Sequence, residues 1–168
     1  MNGVTRTGWS AYGLAGLVIV IDQAVKAWIL GLGLAVGETR PVAGPLQFTL
    51  VQNNGVSFGF LRADQDLARW GLVVFSVIVA AMIVWWARRT NRLLQAVGYG
   101  LVAGGALGNA IDRARFGSVV DFIDVQRIGF FPWVFNVADS AITVGVICLL
   151  LDSLRREPPE GFPSENPK

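Results

Sequence analysis

The sequence predicts an all-α membrane protein, with four transmembrane helices and a small extracytoplasmic β-platform. Three observations carry that expectation. Hydrophobic residues make up 53% of the chain and charged residues only 15%, with mean hydropathy +0.51, outside the usual balance of a soluble domain. Four apolar segments approach the ~20 helical residues that cross ~30 Å of hydrocarbon. Arginines gather at alternate ends of those segments, the pattern that fixes orientation in a bilayer.

The first segment, Trp9 to Leu30, exceeds the apolar core of a secretory signal and carries Asp22 and Lys26, so it is expected to stay in the mature protein. The loop from Gly31 to Asp66 contains PLQFTLVQNNG, in which Leu46, Phe48 and Leu50 alternate with Gln47 and Thr49. That period belongs to a half-buried strand, which stops at Asn-Asn-Gly. Leu67 to Ala87 and Leu93 to Ile111 form the second and third segments, a loop runs from Asp112 to Trp133, and Val134 to Leu151 forms the fourth. Arg6, the group Arg88, Arg89 and Arg92, and the pair Arg155 and Arg156 fall on one side of this arrangement. Both termini are therefore expected in the cytoplasm and both long loops outside. Residues 1–156 read as one integral membrane domain, and residues 157–168, EPPEGFPSENPK, as a disordered tail.

Composition removes several chemistries. The chain has no His, which excludes a Ser-His-Asp triad and a histidine metal site. Its one Cys, Cys148, sits in an apolar run and forms no CxxC pair. Net charge is +2, and the basic residues follow membrane topology rather than any nucleic-acid motif. Catalysis, if present, falls to carboxylates, amides, hydroxyls, Lys or Arg, with no metal and no cofactor.

An ionisable group inside a span costs a few kcal/mol and needs a partner. Asp22 and Lys26 stand four apart on one helical face and read first as a structural polar pair, with direct substrate binding as the alternative. GGALGNAIDR places Asn109, Asp112 and Arg113 at i, i+3 and i+4, while its glycines permit close helix packing. A structural network and a site role are both open for that trio. SVVDFIDV supplies Asp121 and Asp124, and FNVADS supplies Asn136 and Asp139 on the opening turn of the last segment. Asp139 can be a helix-start acid and Asp121 a loop acid. Taken together they support a sharper reading: two carboxylates in a low-dielectric site share a proton, and one activates water while the other hydrogen-bonds the substrate carbonyl.

In order along the chain, DQAVK at Asp22 to Lys26, QNNGVSF at Gln52 to Phe58, GGALGNAIDR, VVDF at Val119 to Phe122, and FNVADS closely resemble the motifs of the lipoprotein signal peptidases, signal peptidase II. The resemblance covers essentially everything before the tail. It implies that Asp121 and Asp139 are the catalytic pair of an intramembrane aspartic endopeptidase. It also implies that Asn53, Asn109, Arg113 and Asn136 surround the active site and gives Asp124 no catalytic counterpart; Asp112, on one helical face with Asn109, is expected to support the site. Gln52 departs from the aromatic residue expected there and leaves Asn53 in place. Gly55 allows a turn close to the site, and with Gly59 suggests a mobile flap. The implied substrates are diacylglyceryl-modified bacterial prolipoproteins, cut on the N-terminal side of the lipidated cysteine near the outer face of the inner membrane. The other expected partners are membrane lipids, the protein acting as a monomer without nucleic acid.

Three rivals remain at this stage. A proton-coupled transporter would also use intramembrane acids. A Ser/Lys peptidase would pair Ser118 or Ser140 with Lys26. A non-catalytic scaffold would leave all of these groups structural.

Overall fold

In the computed structural model, residues 3–55, 65–129 and 132–154 are described. Gly59, the proposed flap residue, and the tail 157–168 lie outside the described residues. Thr5 starts the first helix by accepting the Gly8 N–H at 2.9 Å, the standard way to satisfy an orphan donor at a helix start. Helix α1 then runs Arg6–Gly31, followed by strands β1 (Thr39–Ala43) and β2 (Leu46–Asn53), helices α2 (Gln65–Ala87) and α3 (Leu93–Phe116), strand β3 (Val119–Asp124), a short 3₁₀ turn at Gln126–Ile128, strand β4 (Val134–Phe135) and helix α4 (Val137–Leu154).

Among the described residues, α1, α2 and α4 are long and apolar enough to cross a membrane. Their outward faces carry exposed Leu17, Val20, Phe75, Ile78, Ile147 and Leu150, an apolar surface too extensive for water. Helix α3 differs in composition: it is glycine-rich, packs against the other three helices, and buries Asn109 and Asp112. Close approach is essential at Gly108, where an added Cβ would lie 2.8 Å from Asp22 Oδ2. The small residue thus leaves room for a carboxylate as well as for a helix.

Several helix boundaries differ from the sequence reading by one to five residues, and two of the differences have a clear cause. The third helix continues beyond Ile111 to Phe116, because Gly117 takes a left-handed turn at φ +82° and returns its N–H to Arg113 O. Arg69 also donates to the carbonyls of Arg113 and Ala114, each at 2.7 Å, which satisfies two of the last-turn acceptors. The last helix begins at Val137 rather than Val134, because Val134 and Phe135 pair with Asp124 and Ile123 in the sheet.

The expected platform is a four-stranded antiparallel sheet in the order β1-β2-β3-β4. The alternation in β2 does face the core: Phe48 stands edge-on to Trp28 at 5.7 Å and to Phe122 at 6.1 Å. Ile29, Leu34, Leu50, Val120 and Phe122 form the buried cluster that seats the sheet on the end of α1. A register shift between Phe48 and Val51 lies within the β2–β3 ladder, with Val51 paired to Asp121. The β3 segment, left without strand character in the sequence reading, is nearly all buried.

Candidate active site

At the sheet end of the bundle, β3 delivers Asp121 and the first turn of α4 delivers Asp139, with Asn136 between them. Asn136 is the N-cap of α4: its Oδ1 accepts the Asp139 N–H at 2.9 Å, and Asp139 Oδ2 accepts the Asn136 N–H at 3.4 Å. This reciprocal capping box realises the bland reading of Asp139 as a helix-start acid. Capping does not account for the rest of the contacts. The Asn136 side-chain amide is turned to Asp121 Oδ1 at 2.6 Å, and Asp139 Oδ1 accepts from Asn109 Nδ2 at 2.8 Å. Asn53, at the end of β2, donates to Asp121 Oδ2 at 3.0 Å.

Asp121 is only 1% exposed. Burial pushes its carboxyl up to about 6; donation from Asn53 and Asn136 opposes the rise, and the neighbouring Asp139 charge reinforces it. Asp124, three residues on, behaves in the opposite sense. Burial raises it, but donation from Thr49, the Gln126 backbone and Gln47 outweighs that and holds it below the ordinary carboxylate range. The contrast follows from position: Asp124 accepts from Gln47 at 2.8 Å, Thr49 at 2.5 Å and Gln126 N at 2.9 Å, a saturated structural acceptor.

Gly55 turns the chain beside Asn53. Its φ is +74°, its N–H closes on Asn53 Oδ1 at 2.8 Å, and an added Cβ would meet Leu72 at 2.8 Å and Arg113 Nη2 at 3.4 Å. Arg113 lies in the field of Asp139 and Asp121, and its Nε is buried without a hydrogen-bond partner among the described residues. A cavity of about 480 Å³ opens here, lined by Asn53, Gly55, Asp121, Gln126 and Trp133 among others.

Behind the carboxylates sits a buried ionic cluster. Lys26 Nζ is 2.8 Å from Asp22 and 2.7 Å from Asp112, and donates to Asn109 Oδ1 at 3.1 Å. The expected Asp22–Lys26 pair is therefore a triad, completed by the third helix. Asp22 also accepts the Ala138 N–H at 2.9 Å, and Asp112 the Val120 N–H at 3.1 Å, so the cluster grips the two segments that carry Asp139 and Asp121. Of the trio Asn109, Asp112 and Arg113, the first two meet Lys26 and the third faces Gly55. Gln23, quoted within DQAVK but given no role, donates to Asp112 at 2.8 Å and accepts from Arg115 at 3.2 Å. Its position beside Asp22 was the only signal available.

The geometry does not assemble a Ser/Lys site. Lys26 spends its donors on Asp22, Asp112 and Asn109, while Ser140 donates to its own helix at Asn136 O.

Fold and site thus define a helical membrane-type protein whose sheet end encloses two carboxylates in a network of amides. The signal peptidase (SPase) II family model matches residues 14–155, and the chain belongs to that family, which makes it a peptidase by descent. A Lipoprotein signal peptidase of Caulobacter vibrioides is 53% identical over 156 residues, 92% of each chain. One from Methylorubrum extorquens is 43% identical over 141 residues, covering 83% of this chain and 82% of the relative. A bacterial membrane enzyme solved by the in meso method superposes with TM-score 0.78 at 30% identity, covering 94% of this chain and 99% of its own. A second such structure gives 0.76 at 29% identity, covering 96% and 99%.

Proposed function

We propose that this protein is an aspartic endopeptidase that removes the signal peptide from diacylglyceryl-modified bacterial prolipoproteins, cutting on the N-terminal side of the lipidated cysteine. The relatives named Lipoprotein signal peptidase support the substrate class. The observation that carries the chemistry is that one residue, Asn136, donates to both carboxylates, to Asp121 from its side-chain amide and to Asp139 from its backbone N–H.

In this reading the two carboxylates share one proton, and the one that carries it hydrogen-bonds the scissile carbonyl oxygen. Its ionised partner takes a proton from water, whose oxygen bonds to the carbonyl carbon. As the C–N bond breaks, that proton passes to the leaving amine. Asn53, Asn109 and Asn136 hold the carboxylates in register, Gly55 borders the space for the peptide with Arg113 packed against it, and Asp112 acts through Lys26 and β3. No metal or cofactor takes part.

All four helices span the bacterial cytoplasmic membrane as one domain in this proposal, α3 being shielded from lipid by the other three. Both termini lie in the cytoplasm and the sheet lies outside, which puts the carboxylates at headgroup depth, where a lipid-anchored cleavage site arrives. The working unit is a monomer.

The test is cleavage by the purified protein of one prolipoprotein with and without the diacylglyceryl group, with products read by mass spectrometry. The proposal expects a new N-terminus at the lipidated cysteine, from the modified substrate only. Cleavage at another bond, or equal cleavage of the unmodified chain, contradicts it.

A further inference from the structure

At the end of the bundle away from the sheet, three guanidinium groups lack a counter-charge among the described residues. Arg92 is committed to Asp152, with Nε 3.2 Å from Oδ1 and Nη2 donating to the backbone carbonyl at 3.3 Å. Arg6, Arg88 and Arg89 have no carboxylate in ion-pair range among the described residues. Thr5 N donates to Arg88 O at 3.0 Å, so the first turn of α1, with Arg6, begins beside the α2–α3 turn.

Two of these cations are held together. The Arg88 guanidinium lies 4.8 Å from the centre of the Trp85 ring and that of Arg89 lies 5.8 Å from the same ring, a stacking that orients both planes. Arg88 Nε is buried and hydrogen-bonded to nothing among the described residues, a donor that needs an acceptor. Nearby backbone acceptors are occupied: Arg88 O receives Thr5 N, and Thr90 O receives the hydroxyls of Thr5 and Thr7. Trp85 and Trp86 are themselves half exposed at the last turn of a membrane-length helix, the depth at which indoles meet headgroups.

We propose that Arg88 and Arg89, presented on Trp85, bind the phosphate of an anionic phospholipid in the leaflet at this end, with Arg6 adding charge. A phosphodiester supplies the bidentate acceptor a guanidinium fork prefers, and its glycerol and acyl chains lie against the exposed indoles. A soluble phosphate would satisfy the cations and leave the indoles uncovered, so the lipid is the ligand. The inference rests on the helices lying in a bilayer and is independent of the chemistry at the sheet end.

The experiment is native mass spectrometry of the full chain in detergent, titrated with phosphatidylglycerol, phosphatidylcholine or glycerol 3-phosphate. One phosphatidylglycerol is expected to be retained in preference to phosphatidylcholine, without competition from glycerol 3-phosphate. Arg88→Gln and Arg89→Gln should each weaken retention about fivefold, the effect of one basic residue near an anionic surface. Trp85→Leu, which keeps both charges, should also weaken it, and Arg88→Lys replaces Arg88→Gln if circular dichroism finds the latter unfolded. Equal retention of both lipids, full competition by glycerol 3-phosphate, or variants that bind like the wild type would each overturn the proposal.

Discussion

Asn136 donates its side-chain amide to Asp121 at 2.6 Å while accepting the Asp139 backbone N–H at 2.9 Å. One residue therefore starts a helix and touches two carboxylates from separate elements, Asp121 through its side-chain amide and Asp139 through its backbone N–H, which Asp139 Oδ2 accepts at 3.4 Å. These roles separate by substitution. Asn136→Ser keeps an N-cap acceptor and loses only the amide donor to the buried Asp121 carboxylate, which should cost about 1–3 kcal/mol while kcat falls about 10²-fold. Asn136→Ala should show the same kinetic loss and a further loss of about 1 kcal/mol from the missing cap. Thermal melts and cleavage rates on the same preparations check both; a fully active Asn136→Ser would remove the amide from the mechanism.

Asp121 makes the fold sensitive to pH. Its carboxyl is raised by burial to about 6, against an ordinary value near 4. The folded state then binds the proton more tightly than the unfolded state, so this group favours folding below pH ~4 and the advantage is lost as pH rises through about 6. Two units amount to about 3 kcal/mol as an upper bound. Asp121→Asn carries no such titration. The stability of the wild type relative to this variant should fall between pH 4 and 6 and stay level above; a difference flat across that range would show an unshifted carboxyl.

Asp124 should respond with the opposite sign. Donation from Thr49, Gln126 and Gln47 outweighs the effect of burial and lowers its folded value, so its contribution is present above the ordinary carboxylate pKa and lost as pH falls through the lower, folded one. Asp124→Asn should cost about 1–3 kcal/mol at neutral pH and leave the folded enzyme's kcat within a few fold. Denaturant titration in detergent at pH 7 and at pH ~3, below the ordinary carboxylate value of about 3.9, measures the first part, since the deficit should shrink at the lower pH.

Removing the cation of the buried cluster should be severe. Lys26→Met leaves Asp22 and Asp112 facing each other without the ammonium that lies 2.8 and 2.7 Å from them, and breaking a buried ionic group of this kind costs about 3–5 kcal/mol. Adding Asp22→Asn to Lys26→Met should restore part of that loss, because it removes one of the stranded charges. Strict additivity in a double-mutant cycle would mean that the two side chains do not interact.

Much of this arrangement was legible in the chain. The helices announce themselves as apolar runs bounded by Arg, and the alternation at Leu46, Phe48 and Leu50 marks β2, because both patterns are local. The VVDF and FNVADS motifs pointed to Asp121 and Asp139, which the fold does bring to one network. What stayed hidden depends on partners distant in sequence. Gln23 reaches Asp112 across 89 positions, Arg92 reaches Asp152 across 60 and Arg69 caps Arg113 across 44. No periodicity encodes such pairs. The start of α4 was misread for a related reason: Val134 and Phe135 are as apolar as the helix that follows, and only their pairing with β3 makes them a strand.

The central claim is that Asp121 and Asp139 work as one catalytic pair, and the most direct test is single-turnover cleavage of a diacylglyceryl-modified prolipoprotein by the wild type, Asp121→Asn, Asp139→Asn and Asp124→Asn, each shown to be folded. The account predicts losses of about 10³-fold or more in the first two variants and a near-normal rate in the third. Undiminished cleavage by Asp139→Asn would leave that residue as a helix cap and contradict the account.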